Sequence, residues 1–224
     1  MIKRTFRKGL AGLLMAASLF AFGVPVTAGE VVQLEEAVFM QEMALLEELL
    51  DDVGGVSFTH TGIQTFTTTD NLGNEVYAEF GLLTLEQFKA MQTVLNMPGQ
   101  RMIIDFWPEA RLVGYGSHVA FVGMGNADIG VVRVYKFITV SPSGSQPHVF
   151  LNGVMENASF PTWATQVGLN TRVDQSQPTT NTTTSLFLMS GVPNRLPRMY
   201  EVRARVMGVD PGTVAVSGHL WRVQ

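Results

Sequence analysis

The chain has 224 residues, 46% of them apolar and 15% charged, with no cysteine and a formal net charge of −4. The missing cysteine excludes a disulfide framework, a lipid-modified N-terminal Cys and a thiol nucleophile. The acidic balance argues against nucleic acid as a partner, because binding the phosphate backbone needs cations.

The first residues, "MIKRTFRKGL", carry Lys3, Arg4, Arg7 and Lys8 and no acid, and "AGLLMAASLFAFGV" is an unbroken run of apolar and small residues. Val26 and Ala28 then occupy the small-residue positions that a signal peptidase reads. A membrane anchor needs ~17–20 apolar residues, which Leu10 to Ala28 approaches, but Gly23 and Pro25 break the helix where an anchor would continue. The expectation is a signal peptide over 1–28, cut after Ala28, and a secreted or periplasmic protein of bacterial type. No later segment is a transmembrane candidate. Without the four leader cations, eleven basic residues face nineteen acidic ones, a net of −8.

Charge is also unevenly placed. From Glu30 to Phe88 there are twelve acids and no Lys or Arg, whereas from Lys89 onward eleven bases accompany seven acids. The two halves therefore attract each other within one fold, or the acidic helix over 30–53 contacts a basic partner.

In "EVVQLEEAVFMQEMALLEELLDDVGG", Val32, Phe39, Met43, Leu46, Leu50 and Val53 recur at helical spacing, and Gly54-Gly55 ends the run. After it the period falls to two. "VSFTHTGIQTFTTT" and "EVYAEFGLL" flank "DNLGN" as a hairpin, in which Val76, Ala78, Phe80 and Leu82 share one face. The turn offers Asp70, Asn71, Asn74 and Glu75 as oxygen ligands but lacks EF-hand spacing, so it reads as a turn. Thr84 and Gln87 have the spacing of a capping box for a second, short helix carrying Phe88, Met91 and Leu95.

From Arg101 the pattern is that of short strands. "DIGVVRVYKFITV" is apolar on both alternating sets, as in a central strand covered on both faces. Asn152-Gly153 in "HVFLNGVMEN" predicts a tight hairpin turn. "TRVDQSQPTTNTTTS" reads as a long polar loop. In "MYEVRARVMGV", Tyr200, Val202, Ala204 and Val206 face one way and Glu201, Arg203 and Arg205 the other, before a Pro211-Gly212 turn and a last strand.

These elements predict a mainly β, antiparallel, sandwich-like fold with an N-terminal amphipathic helix and a second short helix, α+β being the alternative. Residues 29–99 form a helix-hairpin-helix section packed on the sheet and 100–224 a β-rich domain, or 29–224 is one domain with a soft boundary at Pro98-Gly99.

The motifs that carry chemistry are sparse. No G-x-S-x-G occurs, and Ser117 in "GYGSH" lacks the second flanking glycine. His60, His118, His148 and His219 are scattered singly, so neither a metal nor a cofactor is expected. Asp105 and Glu109, flanking "FWP", are the carboxylates a glycosidase would pair, with His118 as a further acid–base candidate. Trp107, Tyr115 and Trp163 are the candidate binding aromatics, Trp163 lying in the loop-like "SFPTWATQ". The leading expectation is an exported, non-catalytic β-rich module that binds a glycan or an envelope protein. The alternatives are an exported hydrolase acting on polysaccharide or cell-wall material, and a subunit of an extracellular assembly.

Overall fold

A computed structural model describes residues 28–70, 73–95, 115–126, 130–159, 165–190 and 198–223, with side chains placed for 37–70, 73–92, 115–126, 130–159, 172–187 and 198–223. The chain divides into units of residues 1–41 and 42–224. The boundary falls within the first helix, α1 (Ala28–Val53), and the described part of the first unit, 28–41, is wholly helical.

In the second unit α1 continues to Val53. Gly54, at φ 65°, then turns the chain out of the helix and donates its N–H to the Leu50 carbonyl at 3.0 Å. Among the described residues ten strands follow, interrupted by one helix: β1 (Val56–Phe58), β2 (Gly62–Thr69), β3 (Glu75–Thr84), α2 (Leu85–Leu95), β4 (Gly116–Asn126), β5 (Gly130–Ser141), β6 (His148–Ser159), β7 (Thr165–Gln177), β8 (Thr180–Ser190), β9 (Arg198–Asp210) and β10 (Thr213–Arg222).

They make two five-stranded antiparallel sheets, ordered β1-β10-β9-β8-β7 and β2-β3-β4-β5-β6. The fold is the mainly β sandwich that the strand pattern predicts, with the β2–β3 hairpin forming two strands of the second sheet. The sheets lie face to face, since a Cβ built at Gly218 on β10 would meet the Val122 side chain of β4 at 2.6 Å. Inward, β3 presents Val76, Ala78, Phe80 and Leu82 and β9 presents Val202, Ala204 and Val206, all essentially inaccessible. Met43 and Leu46 of α1 reach a small apolar cavity at the β4–β5 hairpin end, lined also by Met124, Val132, Phe187 and Leu220. Burying side chains of this kind contributes ~1.5–3 kcal/mol each.

The outer face of the β2–β6 sheet is apolar under α2. Thr84 N–H donates to Gln87 Oε1 at 2.8 Å and Gln87 N–H donates to Thr84 Oγ1 at 3.1 Å, the reciprocal capping box. So anchored, α2 lays Phe88 and Met91 on Ile63, Leu83, Val119, Phe121 and Tyr135. β5, between β4 and β6, is covered on both faces over this stretch, as its double apolar pattern requires.

Two local readings are corrected. Asn152-Gly153 does not turn the chain: it lies inside β6, where the register passes from Phe137↔Gly153 to Ile138↔Leu151 and leaves Asn152 as the extra residue of a bulge. A type I′ turn needs positive φ at both central residues, and Gly153 does not adopt it. The reversal is made instead between Pro142 and Pro147, with Gly144 at φ 50°. Likewise the stretch from Thr171 to Ser185 is a β7–β8 hairpin turning at Pro178-Thr179, not a loop.

Candidate binding surface

The polar composition of β8 has a structural cause. Its inward residues Asn181, Thr183 and Ser185 are fully buried, and each finds a partner in the core. Asn181 Nδ2 donates to the Val149 carbonyl at 3.2 Å, Thr183 Oγ1 to the Ala204 carbonyl at 3.3 Å, and Ser185 Oγ to Glu156 Oε1 at 2.8 Å. Beside them Lys136 of β5, also fully buried, donates from Nζ to the carbonyls of Asn181 at 2.9 Å and Ala204 at 3.0 Å. Burial lowers the Lys136 amine to a pKa of about 7.

With that set turned inward, Thr180, Thr182 and Thr184 stand on the outer face of the β1/β7–β10 sheet. The register places Thr184 between Arg172 of β7 and Arg203 of β9, and Thr182 between Asp174 and Arg205. Arg203 is in turn opposite His219 of β10, and Arg205 opposite Ser217. Short, half-buried threonines flanked by long, exposed side chains make a groove of about 470 Å³. Its floor runs along β8. Ser176 and Gln177 complete one wall.

The cations of the groove differ in how they are held. Arg203 donates to Glu201 at 3.0 Å and lies 4.6 Å above the Trp221 ring. His219 Nδ1 is 3.1 Å from Asp51 Oδ1 at the C-terminal end of α1. Among the described residues Arg205 donates only to Met207 Sδ, at 3.7 Å, and Arg172 makes no ion pair. Asp174 accepts the Ser176 N–H at 3.0 Å in a local turn. Two exposed guanidiniums therefore face solvent without a carboxylate partner among the described residues.

The residues singled out in the sequence lie elsewhere. Asp105, Trp107, Glu109 and Trp163 fall outside the described residues. Tyr115 is exposed beside the start of β4, three residues from His118, in the other sheet from the groove. His118 is 7% exposed and faces inward opposite Ile138, and its Nδ1 lies 3.2 Å from the Gly116 carbonyl. Burial lowers its pKa, partly offset by that hydrogen bond. Among the described residues no three His, Asp or Glu side chains converge as a metal would need. Ser217, two residues from His219, makes no hydrogen bond to it among the described residues, so the Asp51–His219 pair has no nucleophile in contact.

The groove joins segments far apart in the chain, and seven of its ten lining residues lie in the stretch 171–185, whose composition is that of a polar loop. Thr180, Thr182 and Thr184 follow the Pro178-Thr179 turn at the period of a strand, but Asn181, Thr183 and Ser185 between them are polar too, so the sequence carries no contrast that marks the groove. Compared with protein-family models, curated proteins and solved structures, the chain has no match.

Proposed function

We propose that this is an exported, non-catalytic binding protein that meets its ligand with the outer face of the β7–β10 strands. The observation that carries the reading is the groove over Thr180, Thr182 and Thr184, walled by Arg172, Arg203 and Arg205. Arginines and hydroxyls on a rigid sheet present fixed hydrogen-bond donors and acceptors at low entropic cost. They offer no activated nucleophile. Export is supported by the basic start, the apolar run and the small residues at 26 and 28.

The test is retention of the purified protein on a glycan array and on envelope fractions, with each bound material followed for turnover. Binding without turnover, lost in an Arg172→Ala/Arg205→Ala double variant, is the expected result. Loss in Trp107→Ala or Trp163→Ala instead would move the site to the segments around those residues. The hydrolase reading retains one supporting observation, the imidazole of His219 oriented by Asp51 in the groove wall. Turnover abolished by His219→Ala would establish that reading in place of the first.

A further inference from the structure

Resting on the binding reading above, we propose that the ligand is an acidic polysaccharide, a chain of sugars bearing carboxylate or sulfate groups, laid along β8. Three features of the groove select that class.

The first is shape. Adjacent strands are ~4.8 Å apart, so the walls on β7 and β9 stand ~10 Å apart at their backbones, and Thr180 to Thr184 spans ~13 Å. A single chain of pyranose rings fits that width, and the length exceeds one ring. Duplex nucleic acid is too broad to lie in such a channel.

The second is charge. Arg172 and Arg203 flank Thr184, Arg205 flanks Thr182, and neither Arg172 nor Arg205 has a carboxylate partner among the described residues. Guanidinium forks match carboxylate and sulfate oxygens two at a time. A neutral glycan would offer them single hydroxyl acceptors but no charge and no bidentate partner. It would also find little ring surface on which to stack, since among the described residues no Phe, Tyr or Trp lines the groove and Arg203 lies over Trp221.

The third is the mixture. Threonine hydroxyls and the Gln177 amide both donate and accept, and Asp174 accepts only. A ligand rich in hydroxyls satisfies all of them. A densely charged polymer without hydroxyls, such as polyphosphate or an acidic polypeptide, meets a carboxylate in the wall and leaves the hydroxyls unserved. Anionic groups on the sugars face the arginines, and sugar hydroxyls face the threonines and Asp174.

The experiment measures equilibrium binding of the purified protein to polygalacturonate and to dextran sulfate, with uncharged dextran and poly-L-glutamate as the contrasting polymers. The expected result is binding to at least one acidic polysaccharide, weakened by added salt through counterion release. Whether carboxylate or sulfate is preferred follows from comparing those two. Arg172→Ala and Arg205→Ala should each weaken binding about tenfold, the effect of one charge-assisted contact. Thr182→Val, which removes a floor hydroxyl and adds no charge, should weaken it less. All three side chains lie on the outer face, and an unchanged thermal transition shows that each variant is folded.

Equal binding to poly-L-glutamate would overturn the assignment to a sugar chain, and equal binding to dextran would overturn the need for charge. Either result would leave the binding reading standing. Acidic-glycan binding indifferent to the three substitutions would overturn the site. Failure to bind any of the four polymers, any array glycan or any envelope fraction would overturn the binding reading as well.

Discussion

The side-chain nitrogen of Lys136, on one sheet, lies 2.9 Å from the carbonyl oxygen of Asn181, on the other, so a single amine ties the two layers together. It sits in a fully buried polar seam with Thr183 and Ser185. The same seam lets β8 carry polar residues on both faces, which is what gives the outer face its row of threonines.

Burial of this amine makes a pH prediction with a definite sign. The unfolded chain holds the proton up to the ordinary value of 10.5, whereas the folded chain releases it near pH 7. Between those values the unfolded state binds more protons, so the Lys136 contribution to stability rises with pH, by up to about 1.4 kcal/mol per pH unit. Below about pH 7 the full cost of the buried charge is present. Urea unfolding of the wild type and Lys136→Met from pH 6 to 10 checks this. The wild type should gain on the variant as pH rises, and parallel profiles would refute the assignment.

On the opposite face of the same sheet, Glu79 and Arg133 meet at 3.3 Å across Gly123, the residue paired with both. A Cβ at Gly123 would lie 3.1 Å from Glu79 Oε2 and 3.2 Å from Arg133 Cγ, so glycine leaves room for the pair. Arg133→Ala takes the guanidinium away from a buried carboxylate and should cost about 3–5 kcal/mol by chemical denaturation. The double variant Glu79→Gln/Arg133→Met should recover much of that loss. If it is as unstable as the single variant, the pair is not the source of the cost.

Helix α2 is held at its start by the Thr84–Gln87 exchange. Thr84→Ala should lower stability by about 1 kcal/mol, with Thr84→Ser close to wild type. Amide exchange resolves the effect to the first turn of α2. Equal protection there in wild type and Thr84→Ala would contradict the capping role.

For His118, burial opposes protonation more than the Gly116 carbonyl favours it. The unfolded chain therefore takes up its proton first as pH falls through 6.5, and the stability contributed by the neutral ring declines from there downward. Its ring resonances should titrate with a midpoint below 6.5, measured by NMR with assignment through a His118→Gln variant. A midpoint at or above 6.5 would contradict the burial.

The sequence exposed those parts of the fold in which one face is apolar. The Met43, Leu46 and Leu50 stripe, the capping box and the Arg203/Arg205 face of β9 were all legible because local spacing fixes them. β8 was not, because Asn181, Thr183 and Ser185 are inward and polar, so its alternation carries no hydrophobic contrast. Asn152-Gly153 misled because the same dipeptide that makes a tight turn also tolerates a bulge. The groove itself depends on a register that brings Arg172, Thr184, Arg203 and His219 into one row. No local pattern encodes that row.

The most direct test of the binding account is NMR mapping of an oligogalacturonate titrated into the isotopically labelled protein. The account predicts saturable shifts confined to Arg172, Asp174, Thr180, Thr182, Thr184, Arg203 and Arg205. Shifts centred instead on the β2–β6 sheet or around Tyr115, with this row unmoved, would contradict it.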